Sequence, residues 1–212
     1  MMDSCEICFN KVSFTYDGRK VVEDFTLEIG AGEHVCIMGE SGAGKSTLLN
    51  SVVGLVTPSG GEIQVSGLPV NVANIQIIRS GTAWLPQDLD FPYQTAMEAL
   101  LAPYGLKVNR NLHFNREDCL SLFGKIGLDA SVIDKELKNI SGGERQRLML
   151  VSALLLRKKI LLMDEPTSAL DGVTRDKFAS FLKTLTDTTI LAITHDEQFA
   201  ATFDRTLTLN KI

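Results

Sequence analysis

Ile160–Met163 is an unbroken apolar run that ends on two adjacent acids and a proline, Asp164-Glu165-Pro166. Such a run predicts a short strand buried on both faces of a parallel sheet. Nearer the start the pattern alternates. Val12, Phe14 and Tyr16 precede a turn at Asp17-Gly18, and Val21, Val22, Phe25, Leu27 and Ile29 follow it, which predicts a hairpin over residues 6–29. Gly30-Ala31-Gly32 reads as a turn and His34–Met38 as a short apolar strand. Leu48, Leu49, Val52 and Val53 then recur at helical spacing. Gly60-Gly61 breaks to a strand at Ile63–Val65, and Thr82–Leu85 reads as another, ending at Pro86-Gln87.

From about residue 95 to 138 strand signals fade. Met97, Leu100, Leu101, Leu120, Leu122, Phe123 and Ile126 mark helices, so this stretch reads as a mostly helical insertion. A helix is expected from Ser141 to about Leu156 and another from about Val173 to Leu185. A strand is expected at Thr189–Thr194, with closing strands near Thr206–Leu209. No repeat, low-complexity tract or linker divides the chain. One domain over 1–212 is expected, with a core of about 1–87 and 145–212 and a helical lobe of about 88–144.

The chain has 212 residues, 44% of them apolar, enough for a substantial core. The net charge of −5 argues against nucleic acid as the main partner, since duplex binding usually needs a basic face. Cys5 and Cys8 form a C-x-x-C, whose functional reading would be metal or redox chemistry. No second cysteine pair or nearby histidine completes a zinc set, so these and Cys36 and Cys119 are expected as reduced thiols in a cytosolic protein. Asp3 and Glu6 interrupt any secretory signal. The longest apolar candidate for a span, Leu148–Leu156, contains Ser152 and is too short for a bilayer, so any membrane role comes through a partner.

The chemistry concentrates at two places. Gly39-Glu40-Ser41-Gly42-Ala43-Gly44-Lys45-Ser46-Thr47 fits G-x-x-x-x-G-K-[ST] between a predicted strand and a predicted helix. Glycines there let backbone N–H groups converge on phosphates, and a helix N-terminus adds positive potential. Lys45 is placed to reach the β- and γ-phosphates and Ser46 to ligate Mg²⁺. The acids at the end of Ile160–Met163 would then divide the work: Asp164 holds Mg²⁺ through water, and Glu165 orients or activates the attacking water. ATP and Mg²⁺ are the expected ligands. The expected fold is α/β: a P-loop NTPase core with a mostly parallel sheet, an antiparallel β subdomain and the inserted helical lobe.

Further motifs in fixed order accompany these two. Ile140-Ser141-Gly142-Gly143-Glu144-Arg145-Gln146-Arg147 is similar to the signature usually written LSGGQ. Gln87 after an apolar strand looks like a Q-loop glutamine, and Ser168-Ala169-Leu170-Asp171 like a D-loop. His195 looks like a switch histidine, and Tyr16 like an aromatic residue that stacks on adenine. Over almost its whole length the chain resembles the nucleotide-binding subunits of ATP-binding cassette (ABC) transporters.

The resemblance implies an ATPase whose two subunits close head to tail, as a homodimer or heterodimer. It places Ser141, Gly142, Gly143 and Glu144 on the nucleotide of the other subunit. Gln87 would contact metal or water, His195 would meet the γ-phosphate, and Ser168 and Asp171 would serve the dimer contact. Integral membrane permease subunits are the implied partners, with the chain cytoplasmic and peripheral on the inner face of the cell membrane. Residues 88–104, with Phe91-Pro92-Tyr93, would supply that contact. Departures are Ile140 and Glu144 in place of Leu and Gln, and Ser152 where arginine is frequent. No regulatory domain is expected after Asp204-Arg205. The alternative is a soluble ABC ATPase acting on nucleic acid, ribosomes or division machinery, which the acidic balance and single cassette disfavour.

Overall fold

The computed structural model describes residues 5–87 and 92–212. Strands β1 (Cys5–Tyr16) and β2 (Arg19–Gly30) make the hairpin that the alternation predicts. Its turn puts Asp17 at φ 49° and Gly18 at φ 75°, the left-handed pair that a tight hairpin requires. Strand β3 (His34–Met38) leads into the glycine-rich loop and helix α1 (Lys45–Val52). Then come β4 (Gly60–Val65), β5 (Leu68–Pro69), α2 (Ile75–Gly81) and β6 (Thr82–Leu85). The helical stretch holds α3 (Ala96–Leu101), α4 (Arg116–Lys125) and several short 3₁₀ turns, tied at its base by a bridge between Thr95 and Glu136. Helix α5 (Gly142–Leu155), β7 (Ile160–Asp164), α6 (Gly172–Leu182), β8 (Thr189–Ile193), α7 (Glu197–Ala200) and β9 (Arg205–Thr208) complete the chain.

Two sheets result. The first is antiparallel, in the order β2-β1-β4-β5, and the second is parallel, in the order β6-β7-β8-β3-β9. Every residue of β7 and β8 is buried, as expected of strands covered on both faces. Successive side chains divide between two cores. Ile160, Leu162, Leu191 and Ile193 pack with Leu48, Leu49 and Val52 of α1 and with Phe9 and Phe14 of the antiparallel sheet. Leu161, Met163, Ile190 and Ala192 pack instead with Phe123, Leu148, Val151 and Phe178 of the helical layer. The parallel sheet is thus the shared wall between an antiparallel layer and a helical one.

Several expectations need correction. Cys5 and Cys8, expected as free thiols, are joined as a disulfide. Residues three apart on a regular strand point to opposite faces, and a register shift between Cys5 and Ile7 removes that separation. Cys36 and Cys119 are free and buried, and burial pushes their thiols up to about 12 and about 11. Where closing strands were expected near Thr206–Leu209, the single strand β9 forms. β5, α2 and α7 were not expected, being too short to show a period. Of the proposed partner-facing stretch, residues 88–91 lie outside the described residues.

Leu162 is fully buried at the centre of the shared wall. Replacing Leu162 by Ala is expected to cost about 2–5 kcal/mol, measured as a lowered urea midpoint with an unchanged m-value.

Candidate nucleotide site

The loop between β3 and α1 depends on glycine at two close approaches. At Gly39 (φ 148°) a Cβ would lie 2.3 Å from the Leu209 carbonyl oxygen, and at Gly44 (φ 97°) 2.6 Å from Val22 Cγ2. Gly44 is also the N-cap of α1 and offers no side chain to cap it. The first-turn N–H groups of α1 are therefore left to an anion arriving at the loop. Lys45 folds back over this concavity, its Nζ donating to the carbonyls of Gly39 (2.8 Å) and Glu40 (3.0 Å).

The carboxyl ends of β7 and β8 supply the facing wall. Asp164, the last residue of β7, has its Oδ1 buried without a hydrogen-bond partner. Burial holds its carboxyl above the usual carboxylate range; the Ser46 hydroxyl pulls the other way, Glu165 adds to the rise, and Lys45 opposes it. Glu165 follows in the left-handed region, φ 48°, with its N–H donating to the Ile193 carbonyl at 2.9 Å. Its Oε2 gathers three groups from the end of β8: Thr194 Oγ1 donates at 3.1 Å, the His195 N–H donates at 3.3 Å, and His195 Nδ1 lies at 2.9 Å. Glu165 is nearly buried, whereas the His195 side chain is 72% exposed.

Together these elements enclose a cleft of about 510 Å³. Tyr16, Gly39, Ser41, Gly42, Gly44, Lys45, Ser46, Thr47, Gln87, Asp164, Glu165, Ser168 and His195 all line it, so most of the expected residues are brought together. Tyr16 stands at its mouth, 45% exposed. Val21 lines the cleft too and was not expected. Thr194 was also missed, although its place beside His195 at a strand end was the available signal. Glu40 and Ala43 belong to the loop without lining the cleft. Asp171 instead caps α6, its Oδ1 accepting from Thr174 N–H at 2.9 Å.

Ser141, Gly142, Gly143 and Glu144 do not line this cleft. They begin α5 as a reciprocal capping box: Ser141 Oγ accepts from Glu144 N–H at 3.2 Å, and Glu144 Oε2 accepts from Ser141 N–H at 2.8 Å. That backbone N–H draws the Glu144 carboxyl below its ordinary range, helped by Lys135, whose Nζ is 3.5 Å from Oε1.

The donor set at the floor of the cleft fits a hard divalent cation. Asp164 Oδ1 lacks a partner, and the exposed Ser46 hydroxyl faces it across the loop. Among the described residues no three His, Cys, Asp or Glu side chains cluster as a metal cage. A site of this kind leaves most coordination positions to phosphates and water, as Mg²⁺ prefers.

The ABC transporter family model matches residues 22–168. The chain belongs to the ABC transporter family. Its relatives include the ergothioneine transport ATP-binding protein EgtV of Helicobacter pylori, 32% identical over 92% of each chain. The energy-coupling factor transporter ATP-binding protein EcfA1 of Mycoplasma genitalium is 28% identical, over 96% of this chain and 75% of that one. Among solved structures, the dimeric ABC transporter cassette MJ0796 superposes with a TM-score of 0.86 at 28% identity, covering 96% of this chain and 94% of the other. The same cassette in a post-hydrolysis state with ADP and Pi superposes with a TM-score of 0.83 at 27% identity, covering 97% and 96%. This ABC cassette is the ATP-binding, ATP-hydrolysing subunit of a transporter, and these relatives do not favour the soluble non-transport alternative. Among its described residues no helix is long and apolar enough to cross a membrane.

The buried acid of the cassette carries a stability cost whose sign follows from its shift. A carboxyl whose folded-state pKa is raised holds its proton more tightly when folded. Its stabilising contribution is present below the ordinary value of 3.8 and is lost as pH rises through the higher folded value. Once ionised, above that folded value, Asp164 is a buried charge without a partner at Oδ1. Replacing Asp164 by Asn is expected to raise the Tm of the nucleotide-free cassette at pH 7, with little change near pH 3, while Mg²⁺-dependent turnover falls. Calorimetric melts across that range would measure it.

Proposed function

We propose that this cassette hydrolyses ATP at a site completed by a second subunit, and that the resulting closure moves integral membrane permease subunits. The observation that carries the reading is the Glu165 carboxylate, held by Thr194 and His195 beside a phosphate loop. Lys45 would exchange its two loop carbonyls for β- and γ-phosphate oxygens. Ser46, Asp164 and Gln87 would hold Mg²⁺, which when bound offsets charge on the phosphates. Glu165 Oε2 is occupied by its three partners, so Oε1 is the oxygen offered to water. Glu165 takes or orients the water proton, and His195 turns its exposed ring toward the γ-phosphate. Tyr16 would stack on the adenine.

The remaining donors come from the partner subunit. Ser141 Oγ accepts the Glu144 N–H, and on closure its hydroxyl would turn to the γ-phosphate of the facing site. Gly142, whose Cβ position meets nothing within 4 Å, keeps the approach open, Gly143 lies against the Ala169 carbonyl, and Ser168 and Asp171 would serve the dimer contact. Residues of about 88–144 act as the helical lobe on a core of 1–87 and 145–212, within one domain. An apolar groove of about 310 Å³ between Trp84, Tyr93, Leu106 and Met149 lies at the root of that lobe and suits an apolar segment of a permease subunit. The cassette then sits on the cytoplasmic face of the membrane as a peripheral subunit.

Replacing Glu165 by Gln keeps shape and hydrogen bonding but removes the base. ATP binding is expected to persist, an ATP-bound dimer to accumulate on size exclusion, and kcat to fall about a hundredfold or more. Turnover at the wild-type rate would rule out Glu165 as the water-side acid.

A further inference from the structure

Gln146 lies on α5, one turn beyond the signature residues, and is 5% exposed. It does not line the nucleotide cleft, yet both ends of its amide are engaged at the acid strand and the D-loop. Nε2 donates to the Glu165 carbonyl at 3.0 Å and lies 3.3 Å from Ser168 Oγ, while Oε1 accepts from Ala169 N–H at 3.2 Å. A buried amide with both ends satisfied fixes its partners, because losing either end strands a polar group away from water.

What it fixes is unusual backbone. Glu165 occupies the left-handed region without being glycine. Such a residue is strained and persists only where its surroundings over-determine it. Thr194 and His195 hold the carboxylate, while the Glu165 peptide is held by its N–H to Ile193 on one side and, on the other, by its carbonyl accepting from Ser168 N–H at 3.3 Å and from Gln146. The same helix touches the D-loop a turn earlier, since a Cβ on Gly143 would lie 2.6 Å from the Ala169 carbonyl oxygen.

We infer that Gln146 is a positioning residue: its amide pins the Glu165 peptide and the D-loop to the signature helix, setting where the Glu165 carboxylate stands. One rigid piece then joins the acid that serves a subunit's own nucleotide to the Ser141 end that serves its partner's. The inference rests on the reading of Glu165 as the water-side acid.

Gln146→Leu keeps most of the volume and removes both hydrogen-bonding ends. It is expected to lower kcat about ten- to a hundredfold while KM for ATP stays within about twofold, as a small misplacement of a reacting group would. In a Glu165→Gln background the same change is expected to cause no further loss of residual turnover, since both act through one carboxylate. Wild-type kcat in Gln146→Leu, alongside collapsed turnover in Glu165→Gln, overturns the role of Gln146 and leaves the water-side reading standing. Wild-type turnover in Glu165→Gln overturns the water-side reading itself. KM rising as kcat falls overturns the positioning role in favour of general loosening.

Should the leucine variant fail to bind ATP, Gln146→Glu decides the matter. Ionised, it still accepts from Ala169 N–H but has nothing to donate to the Glu165 carbonyl; protonated, it regains an O–H donor. Its kcat relative to wild type is expected to rise as pH is lowered, and a flat ratio overturns the proposal.

Discussion

The burial of β7 on both faces is the constraint on which the rest depends. Ile160 and Leu162 belong to one core, and Leu161 and Met163 to the other, so the strand cannot slip by one residue without exchanging its contents between them. The run can end only where apolar residues end, at Asp164. Because β7, β8 and β3 are parallel neighbours, their carboxyl ends open on the same edge of the sheet. That edge receives the phosphate loop from β3, the two acids from β7 and His195 from β8. Residues far apart in the chain converge there because open parallel sheets place their ligand crevice outside the carboxyl ends of the strands.

Much of this was legible in the residues. Ile160–Met163 suited a doubly covered strand, and the loop at 39–47 carried its flanking strand and helix with it. Asp17-Gly18 announced the hairpin through its turn chemistry. Signals failed where an element was too short to show a period, as in Leu68–Pro69 and Glu197–Ala200. They failed again where pairing irregularity decided the outcome. Nothing in C-x-x-C shows the register shift that brings Cys5 to Cys8. Gln146 stood inside the signature-like run without a role, for a third reason. A glutamine on a helix reads as surface, and only its three-dimensional neighbours reveal it as a buried clamp on the acid strand. The site was legible through residues that carry chemistry, and much less so through those that hold them in place.

Glu144 illustrates how a local rule can absorb a charge that global electrostatics would oppose. An acid in a motif offered to phosphate would repel it if the carboxylate faced outward. Here the carboxylate turns back to the Ser141 N–H and lies beside Lys135. It thereby satisfies an orphan donor of the first helical turn, interacts favourably with the positive end of the helix dipole, and frees the opposite side of Ser141. A glutamine at this position would cap through the same geometry without the charge. The Lys135 contact is partly exposed, so its Coulomb energy is modest, and the capping bonds do most of the positioning.

The cleft holds several polar groups that its own residues leave poorly satisfied. Asp164 is a buried acid with an unpartnered oxygen, Lys45 spends its charge on two neutral carbonyls, and the N-terminal amides of α1 have no side-chain cap. Each of these is unsatisfied in the sense that a magnesium-bound triphosphate would relieve, so ligand binding draws on strain already present in the fold. The Ser141 end of α5 lies outside that cleft, so relief within one subunit leaves its own helix terminus unspent. In the proposed dimer that terminus would meet the nucleotide of a second subunit, and closure of two cassettes would be the step in which both halves are satisfied together. The clamp from Gln146 to Glu165 and Ala169 then has a physical consequence. On the proposed two-subunit site, a displacement of α5 on engaging the facing nucleotide would be passed through these hydrogen bonds to the backbone that carries the acid.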